Sequence, residues 1–145
     1  MAGHRIETRI ACGLLLGAWF VAAAAQTPLR VDAGKLEYDA HCASCHGPAG
    51  AGNGELRRFL TVPPSDLSTL ARRNGGVFPN QLVWEVIDGR SAIDIAPHGP
   101  RTMPVWGQRF RQEALQQPVT AAEPEWTVRN RIVALLDYLS RLQQK

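Results

Sequence analysis

Two cysteines three residues apart, followed at once by a histidine, restrict this chain more than any other feature: Cys42-Ala43-Ser44-Cys45-His46. On a helical turn, positions three apart are neighbours, so both thiols sit along one edge with His46 directly after them. Three chemistries use such close thiol pairs. A redox-active dithiol needs a βαβ setting, which this sequence lacks, and leaves His46 without a task. A zinc site needs a second pair of Cys or His, and none is present at ligand spacing. The third fits all five positions, because Cys-x-x-Cys-His is the attachment signature of a c-type haem. Both thiols then reach the two vinyl groups of one porphyrin, and His46 is carried under the iron as proximal ligand.

The compartment follows from the N-terminus. His4, Arg5 and Arg9 precede an apolar run from Ile10 to Val21, which passes into Ala22-Ala23-Ala24-Ala25 before Gln26. That layout predicts a secretory signal peptide over residues 1–25, cut after Ala25, and a single domain over 26–145. An uncleaved anchor is the alternative, but the sixteen residues from Ile10 to Ala25 fall short of the roughly 20 that a bilayer span needs. Cys12 lies inside the leader, so only Cys42 and Cys45 remain in the mature chain, too few for a disulfide scaffold. Two free thiols in an oxidising compartment would pair or react, and thioether bonds to haem cap them. Loss of Arg5, Arg9 and Glu7 takes the formal charge from +3 to +2. Two haem propionates bring that close to zero, and no basic run argues for nucleic acid. The expected location is periplasmic, with membrane contact only if the leader stays attached.

The mature chain reads as all-α. Asp32 caps a helix over 33–41, with Gly34/Tyr38 and Leu36/Ala40 as stripes at i,i+4 spacing. Residues 47–54 hold four glycines but lack the Gly-Lys-Ser/Thr of a phosphate loop, and so read as a tight loop over the proximal face of a flat cofactor. A helical turn is expected at 55–60. After Pro63-Pro64, Ser65 should cap a short helix that stops at Gly75-Gly76. Pro79 opens a helix with Leu82, Val83, Val86 and Ile87 on one face and Gly89 beyond its end. Residues 91–105 are an ordered loop, and 106–115 hold a helical turn or two. Thr120 and Glu123 form an apparent capping box for the last helix, which runs to about Leu142. No segment reads as a strand.

A haem that carries electrons needs a second axial ligand, Met or His, whereas an open site serves other chemistry. Met1 and Met103 are the only methionines, and Met1 leaves with the signal. Met103 stands on a proline-stiffened loop 57 positions beyond His46, where a core gap-filling role is less natural. His98, five residues upstream, is the competitor. His41 is expected to be a surface histidine at a helix end. His46 needs a carbonyl partner for its second ring nitrogen, from either the 47–54 loop or the Pro63-Pro64 turn. Arg90, Arg101 and the Trp106 indole are candidates to bond the propionates. Trp84 and Trp126 are expected in the core.

In order along the chain stand Gly34 with Tyr38, the Cys42-Ala43-Ser44-Cys45-His46-Gly47-Pro48 run, Met103-Pro104-Val105-Trp106-Gly107, and Leu135 with Tyr138. With these residues the chain resembles a single-haem class I c-type cytochrome of the bacterial periplasmic kind, over roughly residues 31–144. The resemblance implies a cytochrome c-like fold wrapped around one covalent haem c. It also implies terminal helices that cross near Gly34, with Tyr38, Leu135 and Tyr138 around the contact. Two departures stand out. The 112–124 connector is long, and the mature chain has only Lys35 and Lys145. A lysine-ringed docking face is therefore missing, and no particular partner carries over.

The expected function is one-electron transfer with His46 and Met103 as axial ligands, between redox protein partners, without bond-changing catalysis. Two alternatives stand beside it. One is a haem enzyme or gas sensor with an open distal site; the other is the cytochrome subunit of a periplasmic dehydrogenase.

Overall fold

Asp32 shows how the first helix starts. Its Oδ1 accepts from the Lys35 backbone N–H at 3.0 Å, satisfying one of the donors left open at a helix N-terminus. In the computed structural model, which describes residues 31–90, 103–117 and 123–144, helix α1 spans Ala33–His41. The expected leader, His98, Arg101 and Thr120 all lie outside the described residues. A one-turn helix, α2, follows at Ala43–His46, then a 3-10 turn at Glu55–Phe59. A second 3-10 turn, Leu67–Thr69, runs into α3, Leu70–Arg73. Helices α4 (Asn80–Asp88), α5 (Trp106–Leu115) and α6 (Pro124–Arg141) complete the order. No strand occurs among the described residues, and the fold is all-α.

Helix α6 is the hub. It buries Val128, Ile132, Leu135, Tyr138 and Leu139, a stripe at helical spacing that α1, α4 and α5 cover. Ile132 and Leu135 are at most 1% exposed, and burial of each side chain is worth about 1.5–3 kcal/mol. The α1–α6 contact is closest at Gly34. A Cβ there would lie 2.1 Å from the Ala134 carbonyl oxygen and 2.8 Å from the Tyr138 Cβ, so only glycine permits the approach. Beside it the Tyr38 and Tyr138 rings stand 5.1 Å apart at 48°. The terminal helices therefore meet where the Gly34/Tyr38 pattern placed them. Of the two α1 stripes, Gly34 and Tyr38 are buried, whereas Leu36 and Ala40 face solvent.

Several local expectations are corrected. Helix α6 starts at Pro124 with Glu123 as N-cap, its backbone extended at φ −45°, ψ 139°. Pro124 takes the first helical position, where the absent N–H costs nothing, so Glu123 precedes the helix as its N-cap and makes no side-chain capping bond. Asp66, not Ser65, caps the segment after the prolines, its Oδ1 accepting from the Ser68 N–H at 2.8 Å. The stop at Gly75-Gly76 is as expected, with both φ values positive. Pro79 stands one residue before α4 as its N-cap. On α4, Val83 and Ile87 face the core but Leu82 is 47% exposed. Trp84 packs partly buried against the core. Trp126 is 57% exposed, because it lies two residues before Val128, about half a turn round the helix from the buried stripe.

Candidate haem site

The motif occupies a bend and one helical turn. Cys42 ends α1, its N–H donating to the Tyr38 carbonyl at 2.8 Å, and its own carbonyl accepts from Cys45 N–H at 3.1 Å and His46 N–H at 2.9 Å. Both thiols and the imidazole therefore belong to consecutive positions of a single turn. Cys42 packs against the core cluster, and the two cysteines are not joined to each other. Burial, with the Glu37 charge and Cys45 adding to it, pushes the Cys42 thiol up to about 12. A thiol held in that form is a poor nucleophile and a poor metal ligand. Among the described residues no group of three His, Cys, Asp or Glu side chains is placed to hold a metal ion.

The loop after His46 folds back onto the motif. Gly52 N–H donates to the His46 carbonyl at 2.8 Å and Gly54 N–H to the Cys45 carbonyl at 3.1 Å. At Gly54 a Cβ would meet the Ser44 oxygen at 2.4 Å and the Cys45 carbonyl carbon and oxygen at 2.6 Å, so a side chain there would push the loop off. The Tyr38 hydroxyl secures the same loop from the core side by donating to the Gly47 carbonyl at 2.6 Å.

His46 finds its carbonyl partner just beyond Pro63-Pro64. Its Nδ1 lies 3.0 Å from the Ser65 oxygen; a carbonyl only accepts, so Nδ1 carries the proton. That leaves Nε2 with a free lone pair, the tautomer of an iron-ligating histidine. Burial holds the His46 pKa below its ordinary value, with the Ser65 bond opposing, so the ring is kept neutral.

Met103 is half-buried against the core cluster, three residues before Trp106, which opens α5. The Trp106 ring is 8% exposed and lies 5.1 Å from His41 and 5.8 Å from Phe110. Arg90 gives its guanidinium to Asp88 at 2.8 Å and Glu125 at 2.9 Å. His41 departs from expectation. It is not a surface residue: its ring is wedged against Trp106 and Phe110, and its Nε2 lies 3.0 Å from Arg131 Nη2. The wedge forms because α1 ends against the α5–α6 pair, which covers His41 from two sides. Sequence reasoning missed Arg131, Glu37 and Glu113 at this junction. The Glu37–His41 spacing was a visible signal, whereas Arg131 comes from a helix 90 residues further along.

A family model described as cytochrome C oxidase, cbb3-type, subunit III matches residues 29–120, more than half of the chain. The chain belongs to this family. It is a c-type cytochrome, the match running from before α1 to beyond α5 and taking in both halves of the site. No curated protein and no solved structure matches it.

The side chains present fit the haem c that a cytochrome of this family carries. Cys42 and Cys45 would hold it covalently and His46 would ligate its iron through the free Nε2. The 3-10 turn that packs on α2 carries Leu56, 43% exposed, and Leu60, 42% exposed, follows it. The bound group supplies a reversible one-electron couple.

Proposed function

We propose that this cytochrome transfers single electrons through one haem c held by Cys42 and Cys45, with His46 and Met103 as its two axial ligands. The observation that carries the reading is the His46–Ser65 bond, which keeps the ring proton on Nδ1 and leaves Nε2 as the ligating nitrogen. Met103 supports it, as the one methionine among residues 2–145 and half-buried against the core. A thioether sulfur favours ferrous iron and raises the potential, as burial does. Two protein ligands leave no position for a substrate, so the chain's part is to keep the coordination unchanged as charge moves, exclude water and offer a docking surface. The protein works after export, in the periplasm, between redox protein partners.

The optical spectrum of the purified cytochrome tests this. Ferric thioether ligation gives a weak charge-transfer band in the red, and Met103→Ala removes it and lowers the potential. If the wild type lacks the band, or the variant changes neither property, the open-site reading of an enzyme or gas sensor replaces it. The family match to an oxidase subunit favours a second reading of the same chemistry, in which the chain is the electron-transfer subunit of a larger oxidoreductase. Co-purification with that enzyme, against migration as a free shuttle, separates the two.

A further inference from the structure

We propose that Arg131 and His41 form a positioning pair that holds the Met103 segment against the motif helix and so keeps the distal ligand in place. This rests on the reading of Met103 as a ligand. Arg131, on α6, makes four hydrogen bonds: Nε and Nη2 to the two Glu37 oxygens at 2.9 Å, Nη1 to Glu113 Oε2 at 2.7 Å, and Nη2 to His41 Nε2 at 3.0 Å. Its Cζ also stands 3.8 Å from the centroid of Phe110. One side chain thereby ties together α1 (Glu37, His41), α5 (Phe110, Glu113) and its own helix. Arginine has no acceptor, so His41 Nε2 must accept. The His41 ring is thus held in a single orientation, tilted 54° to the Trp106 ring.

The pair reaches both halves of the site. His41 directly precedes Cys42, and the Trp106 ring it touches opens α5 three residues after Met103. Arg131, Glu37 and His41 are about a fifth exposed, at 17%, 21% and 22% of their side-chain surface. At that depth desolvation cancels much of the Coulombic gain, and ion pairs of this sort fix geometry more than they add stability. Trp106 is held by a hydrogen-bonded ring from another helix, so the loop before it has one register relative to the haem-attachment turn. Loosening the pair lets Met103 leave the iron more readily without unfolding the protein.

Imidazole competes for the distal position of the ferric cytochrome, so its affinity reports how firmly Met103 is held. The variants are His41→Phe, which keeps a ring against Trp106 but removes the acceptor that Arg131 has on His41, and Arg131→Lys, which keeps the charge but loses the bidentate fork on Glu37. Each should bind imidazole about tenfold more tightly than wild type, the size of coupling that such networks carry, and show a weaker red band with an unchanged far-UV spectrum. Affinity and band equal to wild type in His41→Phe, whatever happens to Tm, overturn the proposal; that variant decides alone if Arg131→Lys does not accumulate with haem. Met103→Ala is the separate control. If it leaves imidazole affinity unchanged, the ligand assignment has failed and the positioning role falls with it.

Discussion

Gly34 and Tyr38 show how far single atoms decide this structure. Helix propensity alone favours Ala over Gly by about 1 kcal/mol, yet a Cβ at Gly34 would stand 2.1 Å from the Ala134 carbonyl oxygen. Forced separation of packed elements costs about 1–3 kcal/mol, so Gly34→Ala should be destabilising on balance. Chemical denaturation of the two proteins will show a lower midpoint for the variant, and a raised one would contradict the close contact. Tyr38→Phe removes the hydroxyl that donates to Gly47 and leaves that carbonyl with the Gly50 N–H as its remaining donor, at a cost of about 0.5–1.5 kcal/mol. Urea unfolding with an unchanged m-value is the check, and faster amide exchange should be confined to the 47–54 loop. Both residues were legible in the sequence, Gly34 because a glycine inside a helix needs a packing reason. The role of His41 was not. Its surroundings are Trp106, Phe110 and Arg131, and no local pattern announces contacts made across 65 to 90 positions.

Helix ends carry much of the difference between expectation and structure. Helices α1, α4 and α6 were readable from their spacing and punctuation, whereas α5, expected as a helical turn or two, is a helix over the whole of Trp106–Leu115. Their caps were less so: Asp66 took the place expected of Ser65 because adjacent polar residues compete near a helix start, and Pro124 set where α6 begins by its fixed φ. The Asp32 cap was legible and also has a reach the sequence did not show, pairing with Arg141 from α6 at 2.8 Å. The Lys35 backbone N–H, followed by the Arg141 guanidinium, holds the Asp32 carboxyl below its ordinary value. A carboxyl depressed in the folded state stabilises fully above its unfolded pKa, about 3.9, and loses that contribution as pH falls through the folded value. The Tm advantage of wild type over Asp32→Ala should therefore be constant at neutral pH, shrink below about pH 4 and vanish in stronger acid. Thermal melts across that range measure it, and an advantage that persists undiminished in strong acid would rule out the ionised cap.

Across the whole molecule the core is small and unevenly sourced: five of the eleven buried apolar side chains among the described residues come from α6. Phe59 and Val62 remain 69% and 52% exposed, apolar surface that the described residues do not bury. A domain of this size has little stability to spare, so the double variant Cys42→Ala, Cys45→Ala, unable to attach haem, should have much less helix than the holoprotein. Circular dichroism reads this directly, and full native helicity would refute it. The position of α6 also sets an order of events. Gly34 and Ala134 touch across a hundred positions, so the α1–α6 contact, and the burial that depends on it, cannot form until the final helix has been synthesised. During that interval Cys42 is not yet enclosed, and its thiol is not yet pushed to the high pKa of the folded protein. By placing its closing element last, the chain leaves Cys42 open to a cofactor until α6 has formed.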